Sequence, residues 1–185
     1  NNLTKELQKK IEIGTVIKLD ISENQVNSIY LGVGSNLGNK KINIEKAKFE
    51  LIQRNIKILQ SSSCYESLSW PNPRNPKFLN IVLRISTNLK PLRLLKECKE
   101  IELKLGRKKT PSNSPRKCDI DIIDYNKQKL NRVINLPHPR MHMRNFVLFP
   151  LFEINKDWSH PVSKLHIKSL ILSLTNRDIR SIKQI

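Results

Sequence analysis

Between Lys77 and Ser86 the chain reads KFLNIVLRIS, and no other stretch restricts the fold so tightly. Leu79, Ile81, Leu83 and Ile85 recur at every second position, with Phe78, Asn80, Val82 and Arg84 between them. A period of two sends these sets to opposite faces of a strand. One face is continuous hydrocarbon and has to be covered. The other carries an aromatic ring and a primary amide side by side, a small platform for a flat heterocycle. The stretch predicts a strand of a sheet buried on one side and free to bind on the other.

The neighbouring patterns fill in the order. Ile29, Leu31 and Val33 alternate as a strand that Gly34-Ser35-Asn36-Leu37-Gly38 interrupts. Ile44, Ala47, Leu51 and Ile52 recur at helical spacing over residues 40–54, and a second strand is expected over 56–66 before a proline-rich loop, 70–76. Pro91 suits the first turn of a helix that turns Leu94, Leu95, Cys98, Ile101 and Leu105 inward, and Gly106 suits its C-terminal cap. A strand follows at 118–125, a turn at Asn126-Lys127, a strand over 130–136, and helices around 145–154 and 166–175. The order β-α-β-β-α-β specifies a ferredoxin-like α+β sandwich. Its antiparallel sheet carries two helices on one face, with a C-terminal strand and helices added. Residues 28–185 form the domain, and residues 1–27, weakly periodic, read as an extension of unknown role.

The strand SPRKCDIDIIDY holds Asp119 and Asp121 two residues apart, so both project from one face, about 7 Å apart at Cα. Carboxylates are scarce here: 34 Lys and Arg stand against 16 Asp and Glu, a net charge of +18. Two that face the same way repel and call for a cation, and Mg²⁺ is commonly held by one or two carboxylates with water and substrate phosphates. Arg107, Lys108, Lys109, Arg116 and Lys117 crowd the loop that feeds the strand, and LPHPRMHMR supplies His138, Arg140, His142 and Arg144 downstream. Arginine forks beside a metal suit a nucleotide triphosphate. The blander alternative is a pair of exposed aspartates bridged to lysines.

The basic balance alone fits polyanionic small molecules, nucleic acid, or a solvated surface. Three scattered cysteines, Cys64, Cys98 and Cys118, fit reduced thiols in the cytoplasm. No apolar run reaches the roughly 20 residues of a membrane span, and no signal-peptide core opens the chain.

Taken together, YLGVGSNLGNK, SSSCYES, KFLNIVLRI, IELKLGRKK, PRKCDIDIIDY and LPHPRMHMRNFVLFPLFEI, in this order and spacing, resemble the 6-hydroxymethyl-7,8-dihydropterin pyrophosphokinases of folate biosynthesis over residues 28–175. The resemblance implies transfer of pyrophosphate from ATP to the hydroxymethyl group of the pterin, giving AMP. It implies that Asp119 and Asp121 hold two Mg²⁺ ions and act in catalysis with Arg107 and Arg116, which look like loop arginines that close over ATP. It assigns Glu102, Arg107, Lys109, Arg116, Ile122, His138, Arg140 and Arg144 to ATP. Ser67, Leu68, Trp70, Phe78, Asn80 and Phe146 go to the pterin. Departures are local: Asn113-Ser114 replaces a Trp-Gly common in the family, and Lys109 stands where a second arginine is common.

The competing expectation is an RNA-binding module of the same topology with a basic surface and sheet aromatics. Against it, no RNP1-like string occurs, and unmetallated aspartates would repel a phosphate backbone. The expected partners are therefore ATP and the pterin, with neither nucleic acid nor membrane, and the protein is expected to act as a monomer.

Overall fold

The computed structural model describes residues 28–107, 111 and 113–185. The expected extension 1–27 and the expected ATP ligand Lys109 lie outside the described residues. The main sheet is built from β1 (Ile29–Ser35), β2 (Lys57–Ser61), β3 (Tyr65–Ser67), β4 (Phe78–Ser86), β5 (Asp119–Tyr125) and the short β8 (Lys183–Gln184). Its order is β5-β1-β4-β3-β8, with β2 also on β4. The strand pairings of this sheet among the described residues are antiparallel. The helices α1 (Lys40–Gln53) and α2 (Pro91–Lys104) cover one face. This is the ferredoxin-like α+β sandwich that the element order specifies.

The alternation of β4 is realised residue by residue. Leu79, Ile81, Leu83 and Ile85 join Ile29, Leu31 and Val33 of β1 and Ile120 and Ile122 of β5 in one buried cluster, closed by Ile44, Ala47 and Leu51 of α1 and Leu94, Cys98 and Ile101 of α2. Burying a side chain of this kind contributes about 1.5–3 kcal/mol, so this layer holds the sheet against its helices.

The opposite face departs from the expectation that it is free for a ligand. Tyr30, Val82 and Ile123 pack there against α3 (Asn145–Ile154), α4 (Ile167–Leu172) and the buried Trp158, forming a second core. Only one end of that face stays open. Along each strand the cover runs out after one or two residues: at Gly34 on β1, at Asn80 and Phe78 on β4, at Asp121 and Asp119 on β5. Asn80, Gly34 and Asp119 are direct cross-strand neighbours and form a single row across the sheet.

Three local expectations are corrected. The strand expected over 56–66 is broken into β2 and β3, because Ser62 bonds β4 through its hydroxyl as well as its backbone: Val82 N–H donates to Ser62 Oγ at 2.9 Å. The strand expected over 130–136 is only a hairpin of β6 (Leu130–Asn131) and β7 (Asn135–Leu136), with Val133 left 80% exposed. The helix expected to reach 175 stops at Leu172, and α5 (Asn176–Ser181) starts afresh behind a Thr175 cap.

Candidate active site

Above the open end of the sheet lies a cleft of about 1380 Å³. That exceeds the roughly 300–1,000 Å³ of a site for one small ligand, so there is room for two substrates. One half is anionic and cationic at once. β5 presents Asp119 and Asp121 to the cleft, as the two-residue spacing predicts. Both oxygens of Asp119 are engaged: Arg107 Nη1 donates to Oδ1 at 2.9 Å and Arg116 Nη2 to Oδ2 at 2.7 Å. Asp121 Oδ2 lies 3.6 Å from Arg144 Nη1 and 3.7 Å from His138 Nε2.

Local structure explains why the arginines arrive there. Helix α2 ends in two reverse bonds, Gly106 N–H to the Leu103 carbonyl and Arg107 N–H to the Glu102 carbonyl, with Gly106 at φ +92°. This Schellman turn needs the left-handed conformation that glycine adopts at little cost. It turns Arg107 back over Glu102, whose carboxylate also accepts from Lys99 and from the Ile120 backbone N–H. Arg116 is held from behind by Asn36, whose Oδ1 accepts the Arg116 N–H at 2.7 Å. Its Nε is buried and has no hydrogen-bond partner. A buried donor without an acceptor is uncommon; Arg84 Nε, away from the cleft, is another, so it is the place of Arg116 on the cleft wall that leaves its Nε within reach of a ligand.

The electrostatics favour a charged Asp119. Burial raises its carboxyl, but Arg116, Lys99 and Arg107 outweigh that and hold it below the usual carboxylate range. Burial pushes the His138 imidazole below its usual value, aided by Arg144 and Arg140 and opposed by Asp121, so the ring is neutral at pH 7. The thiol of Cys118, next to Asp119, is pushed up to about 12 by burial and stays protonated.

The other half of the cleft is aromatic. Phe78, Asn80, Ser67, Leu68, Trp70 and Phe146 all line it, which brings together the whole set expected for the pterin. Asn80 Nδ2 donates to Ser67 Oγ at 3.0 Å, so the amide is oriented from below. The halves interlock. The guanidinium of Arg116 lies 5.4 Å from the Phe78 ring centre, Arg144 5.4 Å from Phe146, and Arg140 5.3 Å from Trp70. These are cation–π distances.

Two expected ATP residues do not line the cleft. Ile122 faces the helix-covered core, at 4% exposure, and Glu102 lies beneath the cleft, at 1%, where it orients Arg107. Conversely, Lys99 and the C-terminal α5, through Arg177 and Asp178, line the cleft unforeseen. Lys99 could have been found, since it lies three residues before Glu102 on one helix face. Nothing in the exposed, polar α5 signals its place, which depends on Asn145 Nδ2 donating to the Asp178 carbonyl at 2.6 Å.

Asp119 and Asp121 also meet what Mg²⁺ asks of a protein. They are hard oxygen donors facing one cleft, and no cluster of three His, Cys, Asp or Glu occurs among the described residues. Such a pair is an incomplete cage, suited to an ion that arrives with phosphate and water.

Residues 30–156 match the family described as 7,8-dihydro-6-hydroxymethylpterin-pyrophosphokinase. The 2-amino-4-hydroxy-6-hydroxymethyldihydropteridine pyrophosphokinase of Aquifex aeolicus is 36% identical over 142 residues, 76% of this chain and 88% of that protein. The folic acid synthesis protein fol1 of Pneumocystis carinii is 38% identical over 164 residues, 87% of this chain but 22% of that protein. A crystal structure of an HPPK-DHPS protein in complex with substrates shares the fold, with a TM-score of 0.64 at 15% identity, covering 80% of this chain and 43% of that one. The chain thus spans nearly all of the Aquifex protein and less than half of the two longer ones.

Proposed function

The chain belongs to the 7,8-dihydro-6-hydroxymethylpterin-pyrophosphokinase family, and from that premise we propose that it transfers the pyrophosphoryl group of ATP to the hydroxymethyl oxygen of 6-hydroxymethyl-7,8-dihydropterin in folate synthesis. The hydroxymethyl oxygen, giving up its proton to solvent, bonds to the β-phosphorus of ATP as the bond from that phosphorus to the departing AMP oxygen breaks. The observation that carries this reading is the juxtaposition in one cleft of a paired-carboxylate strand seated under arginines and an aromatic–amide platform.

Asp119 and Asp121 would hold Mg²⁺, two ions in the full complex, and the metal would supply neutralisation of phosphate charge. Arg107 and Arg116 exchange Asp119 for phosphate oxygens, which a planar fork can also bind bidentately and which carry more negative charge. Arg116 leaves the Phe78 ring as it does so, opening the pterin slot. Arg140, Arg144 and neutral His138 form the far wall of the nucleotide half, and Glu102 keeps Arg107 in reach. Phe78 and Phe146 grip the pterin ring from its two sides, Asn80 reads its polar edge, and Trp70, Leu68 and Ser67 border it. Positioning and charge neutralisation are the protein's contribution.

Residues 28–185 are the catalytic unit, and 1–27 are dispensable for the reaction; the family match beginning at residue 30 supports this. The acting unit is proposed to be a monomer. Three free cysteines suit a reducing cytoplasm, and no described helix is long and apolar enough to cross a membrane. An RNA platform is disfavoured because the sheet face that would hold it is half covered by the second core.

The test is incubation of the chain, and of a version starting at residue 27, with ATP, Mg²⁺ and the hydroxymethyl dihydropterin, following AMP and the pterin diphosphate. Both versions should produce AMP only when the pterin is present. Pterin-independent ATP hydrolysis, or no AMP at all, would overturn the assignment.

A further inference from the structure

Gly34 lies at the centre of the cross-strand row Asn80–Gly34–Asp119, with the pterin amide on one side and the phosphate-facing carboxylate on the other. It is buried, its φ is not in the left-handed region, and no turn requires glycine there. The need is for space. A Cβ at this position would stand 2.8 Å from Asn80 Oδ1 and 3.4 Å from the Phe78 ring edge. Those atoms occupy the recess that the missing side chain leaves. Asn80 is anchored on its other end by Ser67, and at 6% exposure it has little room to retreat.

We propose that Gly34 is a positioning residue for the pterin: its empty side-chain space lets the Asn80 amide and the Phe78 ring lie down on the sheet, and so sets the depth of the slot. A methyl group there lifts both toward the ligand. The amide would lose its alignment with the heterocycle edge, and the ring would occupy part of the slot. The phosphate half is spared, because no atom of Asp119 is among the three nearest to that Cβ. Gly32 provides the internal comparison. It is on the same strand and faces the same way, but its Cβ would meet only the flexible Ile123 side chain, at 3.2 Å, within the second core.

This inference rests on the pterin reading of the site, and calorimetric titration tests the two separately. Wild type, Gly34→Ala, Gly32→Ala, Asn80→Ala and the Gly34→Ala/Asn80→Ala double variant are titrated with the pterin in the presence of a non-hydrolysable ATP analogue, and with the analogue alone. Gly34→Ala should lose about tenfold or more in pterin affinity, in line with the cost of overpacking, and keep its affinity for the analogue. Gly32→Ala should keep both. In the Asn80→Ala background the further loss from Gly34→Ala should shrink to about threefold or less, because the amide it displaces is gone. Unchanged pterin affinity in Gly34→Ala, a parallel loss of analogue affinity, or fully additive losses each overturn the proposal. If Gly34→Ala fails to fold, the double variant, relieved of the 2.8 Å contact, should fold, and failure of both also overturns it. Absence of pterin binding by the wild type rejects the functional reading, and this inference with it.

Discussion

Asp119 is fully engaged before any substrate arrives, and that shapes what its loss should do. Its two oxygens hold Arg107 and Arg116, and its charge is secured by them against burial. Asp119→Asn removes the anion on which both arginines rest and, on the proposed reading, an anionic oxygen for Mg²⁺. Asp121→Asn removes the second proposed anionic oxygen but leaves those arginines seated. Each should cut turnover by about a thousandfold or more, since metal clamps supply several kcal/mol to such transition states, while circular dichroism stays that of the folded chain. Near-normal AMP release from either variant would remove the metal assignment. The arginines differ in a way only the structure reveals. Arg107 is tied to the buried Glu102 as well as to Asp119, whereas Arg116 keeps an unpartnered Nε and lies against Phe78. Arg116→Ala should therefore lower kcat by about a hundredfold with little change in Kd for the ATP analogue, the pattern of an interaction that strengthens in the transition state. A pure rise in that Kd, with kcat intact, contradicts this role.

At the scale of elements, α1 and α2 are joined at their outer seam by charge rather than hydrocarbon. Arg54 Nε donates to Glu97 at 3.1 Å and its Nη1 to Glu50 at 2.7 Å, and Lys104 Nζ donates to Glu50 at 2.9 Å. Bonds from Lys104 and Arg54 hold the Glu50 carboxyl below its usual value of 4.5, against a smaller opposing effect of burial. A carboxyl whose folded pKa is depressed adds stability that is present above its unfolded pKa and is lost as pH falls through the folded one. Glu50→Gln should thus lower Tm at pH 7, and its deficit relative to wild type should narrow below pH 4.5. A deficit independent of pH would show that packing, not charge, joins the helices. These elements also mark how far the sequence could be read. β4, β5 and the inward faces of α1 and α2 were legible because burial on one side imposes a period. The Ser61-Ser62-Ser63 break was not, since a hydroxyl replacing a ladder bond leaves no pattern. The second core was missed because Tyr30, Val82 and Ile123 are single apolar residues on three strands, and only the folded sheet brings them together. Glu102 and Ile122 were placed in the site by resemblance, yet their side chains support it from beneath.

The whole molecule carries a net charge of +18, and its cleft is lined by Lys99, Arg107, Arg116, Lys117, Arg140, Arg144 and Arg177 against three aspartates, Asp119, Asp121 and Asp178. Such a field does little for a neutral pterin and much for a tetra-anion. Attraction between exposed charges decays over a screening length of about 10 Å at 0.1 M salt and about 3 Å at 1 M. The capture of ATP, which begins at distances beyond contact, is then the step that salt should slow. Raising NaCl from about 0.05 to about 0.5 M should reduce the association rate of the ATP analogue by about tenfold and weaken its affinity accordingly. Pterin affinity, measured with the analogue saturating, should change by less than about twofold, because the proposed stacking on Phe78 and Phe146 and the proposed bond to Asn80 would be short-ranged. Stopped-flow mixing gives the rates and calorimetry the affinities. The basic surface also offers a control for the nucleic-acid alternative. A single-stranded RNA should bind, if at all, with a steep loss across the same salt range and without displacing the pterin, because its phosphates would meet the outer lysines rather than the slot. Equal salt sensitivity of the two substrates would mean that the charge of this protein is surface dressing and that the ATP half of the cleft works through contacts alone.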